Sequence, residues 1–125
     1  MTVRREFTLS ADSVGLARHF VVDSLASAGV TSLCVLDDAA LAVTEMTTNA
    51  LLHADTEFEV ALTIGDAVRI AVHDRSSAMP CSRNDPCVPG GRGLLILDGV
   101  SSGWQAADDG TGKGKWVWCD LPLSG

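Results

Sequence analysis

Glu45, Asn49 and His53 stand four residues apart in the stretch TEMTTNALLHA (44–54), whose other members are mostly small or apolar. On a helix, residues four apart are offset by about 40° and rise about 6 Å, so the three form a gently winding polar ridge. An ordinary solvated face is one explanation. The flanks weaken it, because Ala42, Met46, Ala50, Leu51 and Leu52 supply almost no charge around the ridge. A helix that is apolar nearly all round except for such a ridge is better explained by burial against a cleft. There an amide oxygen can ligate a hard cation such as Mg2+, and a carboxylate can orient a hydroxyl or take its proton. His53 reads as a helix-end or cleft-lining residue rather than a catalyst.

Two further stretches carry polar groups in useful places. Asp74 ends the apolar run VRIAVHD and opens into RSSAMP. An acceptor at a strand end can take an N–H from a ligand, and an exocyclic amine such as that of adenine would suit, although aspartate there is commonly a turn former. In PGGRGLLIL, Gly90, Gly91 and Gly93 offer bare backbone amides at a helix start, either an anion site or simply a flexible entry. Established phosphate motifs do not fit. GTGKGKW lacks the spacing and the hydroxyl of a P-loop, and GRGLLI lacks the last glycine of a dinucleotide fingerprint. His73 and Ser76 flank Asp74 without a nucleophile elbow, which argues against a hydrolase triad.

Composition restricts the setting of these residues. With 125 residues, 46% of them apolar and 20% charged, the chain is expected to form one globular domain spanning 1–125. A net charge of -7 argues against a nucleic-acid binder, whose affinity rests on Lys and Arg displacing counterions. No apolar run reaches membrane-spanning length, and the early RREF is followed by Asp12, Arg18 and His19 where an export signal needs apolar residues. Cys34, Cys81, Cys87 and Cys119 include no Cys-x-x-Cys pair, so reduced thiols in a cytoplasmic protein are expected, with a Cys81–Cys87 bond as the alternative.

The elements that would position the site follow from periodicity. REFTLS predicts a short first strand, and Ser10 or Ser13 can cap a helix that Gly29 breaks. A second helix is expected from near Leu36 or Asp37 to about Ala54. FEVALTI and VRIAVHD predict an antiparallel hairpin turning at Gly65 and Asp66. A long loop over 75–91 should lead through GRGLLILDGV, a short helix, into two closing strands, GWQAAD and KWVWCDL. Helices on one face of a largely antiparallel sheet make an α+β two-layer sandwich the natural class.

In their order along the chain, ALAVTEMTTNALLHA, VRIAVHDRSSAMP, GGRGLLILDGVSSGW and the terminal GKWVWCDL resemble the histidine-kinase-like (Bergerat-fold) ATPase superfamily, shared with gyrase and the heat-shock chaperone ATPases. In particular they are similar to the small stand-alone anti-sigma-factor serine/threonine kinases, over nearly the whole chain. The resemblance implies ATP bound between helices and sheet under a flexible lid. It implies Asn49 as the Mg2+ ligand, Glu45 as general base and Asp74 as acceptor from the adenine amine. Gly91 and Gly93 correspond to lid glycines near the phosphates, with Arg92 as a further phosphate contact. Two positions depart from the larger members: Asp74 is followed by RSSAMP instead of Asp-x-Gly-x-Gly, and Trp116 stands where a threonine often helps hold the adenine end.

The implied partners are a sigma factor and its anti-anti-sigma (STAS-type) antagonist, the latter being phosphorylated, with neither nucleic acid nor membrane bound directly. Homodimers are common in relatives of this type. The rival from another class is a non-catalytic nucleotide- or partner-binding module of the same fold. A detached ATP-binding part of a sensor kinase is less favoured, since no phosphoacceptor helix precedes the first strand.

Overall fold

The computed structural model describes residues 1–54, 56–75, 104–111 and 114–123. In chain order they form β1 (Thr2–Phe7), α1 (Asp12–Ser27), α2 (Leu33–Asn49), a π-helical turn (Ala50–Ala54), β2 (Phe58–Ile64), β3 (Ala67–Asp74), β4 (Trp104–Asp108) and β5 (Lys115–Pro122). The strands make one sheet in the order β1-β2-β3-β5-β4, with every pairing antiparallel. Both helices pack on one face of it, giving the expected α+β two-layer sandwich. The loop over 76–91 and the short helix expected in GRGLLILDGV lie outside the described residues.

Alternation along the strands assigns each side chain to a face. In β3, Val68, Ile70, Val72 and Asp74 are buried beneath the helices, while Arg69, Ala71 and His73 point to the open face. In β5 the inward set is Lys115, Val117, Cys119 and Leu121. Fully buried Val21 and Leu25 of α1 and Ala39 and Val43 of α2 meet this surface. Burying side chains such as Leu25, Leu62, Ile70 and Leu121 stabilises the fold by about 1.5–3 kcal/mol each. Phe7 closes one end of the core, stacking on Phe58 at 5.5 Å and meeting Phe20 edge-on at 6.2 Å.

Element boundaries moved where local bonds decide them. β1 ends at Phe7 instead of running through REFTLS, because its register with β2 starts at Thr2 opposite Thr63 and Phe7 opposite Phe58 is the last pair. After it, Ser13 is buried and donates its hydroxyl to the Thr8 carbonyl at 2.7 Å, while Ser10 Oγ accepts from the Asp12 N–H at 3.3 Å. Helix α1 ends in a Schellman motif: Gly29, at φ +94°, donates to the Ala26 carbonyl and Val30 to that of Leu25. Helix α2 starts at Leu33, earlier than the aspartate pair suggested, because Ser32 caps it by accepting from the Val35 N–H.

Candidate functional site

The ridge on α2 is built by what its neighbours do with their own polar groups. Thr44 donates its hydroxyl to the Ala40 carbonyl at 2.7 Å, Thr47 to that of Val43 at 2.7 Å and Thr48 to that of Thr44 at 2.6 Å. The threonines are thus satisfied within their own helix and need no ligand. Half-buried Glu45 and Asn49 differ: neither side chain makes a hydrogen bond or ion pair with a described residue. A carboxylate and an amide with unspent hydrogen-bonding capacity, one turn apart on a partly covered face, are what a ligand-facing pair requires.

Just past Asn49 the helix widens into the π-helical turn. Threonine back-bonding loosens and bends a helix, and single π turns recur at functional sites because the wider ring redirects the side chains beside it. The sequence reading, a plain α-helix to Ala54, missed this turn; the signal available was TTN, with threonines at two successive positions. The turn also contains the backbone of His53, whose side chain lies outside the described set.

Asp74 has a partner that the sequence reading did not foresee. It lies opposite Lys115 in the β3–β5 register, both side chains on the helix face, with Asp74 only 2% and Lys115 5% exposed. The ammonium is 2.9 Å from Oδ1 and 2.8 Å from Oδ2. The charges neutralise each other where water cannot reach. Strand parity in KWVWCDL carries the signal: Lys115 shares its face with Val117, Cys119 and Leu121.

The same parity corrects the place given to Trp116. The residue faces the open side of the sheet, with its ring 4.9 Å from that of His73 and under the Arg4 guanidinium. It therefore points away from the face that carries Asp74, because neighbouring residues of a strand point to opposite faces. The position beside Asp74 belongs to Lys115.

A clamp at the end of β3 holds this pair in register. His73 Nε2 lies 2.8 Å from Asp109 Oδ2, and Thr111 donates to Asp109 Oδ1 through its backbone N–H at 2.9 Å and its hydroxyl at 2.6 Å. Bonds from Thr111 and then His73 hold the Asp109 carboxyl down at a pKa of about 2. Gly114 runs so close that a Cβ there would strike the Asp109 carboxylate and come within 2.8 Å of the Asp74 carbonyl oxygen. The turn between β4 and β5 is thereby fastened onto the strand that carries Asp74.

Helix α2 packs over β3 and β5, with Cys119 Sγ 4.0 Å from Met46 Sδ, and the π-helical turn packs on β3. The sheet thus carries Asp74 and Lys115 on the face that α2 covers. Gly91, Arg92 and Gly93 lie outside the described residues. A pocket of about 230 Å³, lined in part by Glu6, Glu59, His73 and Trp116, opens on the other face. Its three carboxylates, Glu6, Glu57 and Glu59, outnumber the arginine beside them, Arg75, and disfavour a polyphosphate.

Among the described residues, Asn49 carries the kind of donor that the resemblance implies for a metal ion. No cluster of three or more His, Cys, Asp or Glu able to hold a metal ion occurs among the described residues. Mg2+ is commonly held by one or two protein oxygens together with substrate phosphates and water. The amide of Asn49, which bonds to no described residue, is an oxygen donor of this kind.

Comparison with known proteins agrees with this architecture. A comparison with curated proteins gave no match. The chain is similar in structure to the RsbU and RsbW domains of Rv1364c from Mycobacterium tuberculosis, with a TM-score of 0.75 at 16% sequence identity. The likeness covers 98% of this chain and 32% of that one, and at such identity it speaks for the fold alone. The family model for the histidine kinase-like ATPase domain matches residues 7–119, which include Glu45, Asn49, Asp74 and Lys115, and the chain belongs to that family.

Proposed function

We propose that the protein is an ATP- and Mg2+-dependent anti-sigma-factor serine/threonine kinase, which binds a sigma factor and phosphorylates its anti-anti-sigma antagonist. The observation that carries the reading is the Glu45–Asn49 pair, half-buried beside a π-helical turn and bonded through its side chains to no described residue. Asn49 holds the Mg2+, and Asp74 accepts from the amine of adenine. The metal, when bound, offsets the negative charge of the phosphates. Glu45 orients the antagonist's serine or threonine hydroxyl and takes its proton as the oxygen bonds to the γ-phosphorus and ADP leaves. Positioning and electrostatics contribute more than the base in such a loose transfer. Gly91, Arg92 and Gly93 are assigned to the phosphates on the sequence resemblance. The setting is cytoplasmic; no helix among the described residues is long and apolar enough to cross a membrane.

One observation favours a second reading, a non-catalytic module: the carboxylate assigned to adenine is already engaged by Lys115. Calorimetric titration with ATP and Mg2+, followed by transfer of labelled phosphate to a candidate antagonist, separates the two. Transfer that falls in Glu45→Ala with binding retained, and binding and transfer that both fall in Asn49→Ala, support the kinase. Binding with no transfer to any antagonist supports the module, and an absence of nucleotide binding refutes the kinase.

A further inference from the structure

Lys115 is 5% exposed, and the hydrogen bonds of its ammonium among the described residues go to Asp74 alone. An ammonium has three N–H donors. The two carboxylate oxygens, at 2.9 and 2.8 Å, can occupy two of them, so at least one buried donor has no acceptor among the described residues. Leaving a charged donor unspent in the interior is costly, and such groups generally meet an acceptor in the working state. The clamp of His73, Asp109 and Gly114 prevents the β5 end from drifting, so the ammonium stays beside the carboxylate.

We propose that Lys115 is a specificity-determining residue that reads the purine edge together with Asp74, a reading that rests on the nucleotide site proposed above. Side by side, the pair presents an acceptor and a donor. The Watson–Crick edge of adenine presents the complement: the N6 amine donates to Asp74, and N1 accepts from Lys115. A 6-oxo purine in the same pose turns oxygen toward the carboxylate and N1–H toward the ammonium, so both contacts become repulsive. Lys115 thereby supplies, from the neighbouring strand position, the donor that Trp116 cannot bring to this face.

Titration of the native protein with ATP, 1-deaza-ATP, 7-deaza-ATP and ITP tests this without any substitution. A charge-assisted hydrogen bond predicts that 1-deaza-ATP, which lacks only the N1 acceptor, binds about 10- to 100-fold more weakly than ATP. 7-deaza-ATP should bind like ATP, and ITP more weakly than either. In Lys115→Met, ATP and 1-deaza-ATP should bind equally. Equal binding of these two by the native protein, or tighter ATP binding by Lys115→Met, would overturn the proposal while leaving the nucleotide site in place. Failure of the native protein to bind ATP would instead overturn the nucleotide site on which the proposal rests.

Discussion

Separating the two charges of the Asp74–Lys115 pair should be far more damaging than removing both. With exposures of 2% and 5% and contacts of 2.8 and 2.9 Å, the pair is desolvated on both sides. Lys115→Met leaves a buried carboxylate and Asp74→Val a buried ammonium, and each should cost about 3–5 kcal/mol. Against a total stability of about 5–15 kcal/mol that is a large fraction, corresponding to a fall in Tm of roughly 10–20 °C. The double variant should lie within about 2 kcal/mol of the native protein, because two apolar side chains replace two charges that paid for each other's burial. Urea unfolding followed by tryptophan fluorescence gives all four corners of the cycle, with equal m-values required for the comparison. Single variants that each cost under about 1 kcal/mol and simply add would refute the reasoning, since that behaviour belongs to a solvated pair.

Gly114→Ala should destabilise by roughly 1–3 kcal/mol, since the backbone carbonyl of Asp74 blocks the new Cβ; an unchanged urea midpoint would contradict the close approach. The carboxyl of Asp109 is held at about 2, below its ordinary value of about 3.9, so its contribution is complete above that ordinary value and is lost as pH falls toward 2. The stability gap between native protein and Asp109→Asn should accordingly be present at pH 5 and close by pH 2 in urea titrations. Burial raises the Cys119 thiol to about 12, so peptide mapping after iodoacetamide at pH 8 should find exposed Cys34 alkylated and Cys119 protected until the protein is unfolded. Asn49→Ala should abolish the Mg2+ dependence of nucleotide binding by calorimetry, with little change in the urea midpoint, because its amide bonds to no described residue.

Much of the framework was legible because it is local. Gly29 stops α1 through a positive φ that glycine readily adopts, and FEVALTI and VRIAVHD carry the period of two that a one-sided sheet imposes. Ser32 capping α2 was also present in the sequence, but the aspartate pair further on drew the start away from it. The threonines of TTN were visible too. Their hydroxyls became informative only once they were seen turned onto carbonyls of their own helix, which left Glu45 and Asn49 as the pair there whose side chains bond to no described residue.

The sequence by itself determined the strand and helix periods, the hairpin at Gly65 and the Glu45–Asn49 spacing that brings the family to mind. Those depend on residues within a few positions of one another, where sterics and hydrogen bonding act without knowledge of the rest of the chain. Tertiary structure alone decided that β5 lies against β3, and with it that Lys115 meets Asp74 while Trp116 turns to the open face. A lysine is normally a surface residue, and only an opposite charge brought from 41 residues away makes its burial tolerable. That partner is a property of strand order and register, which no local pattern specifies.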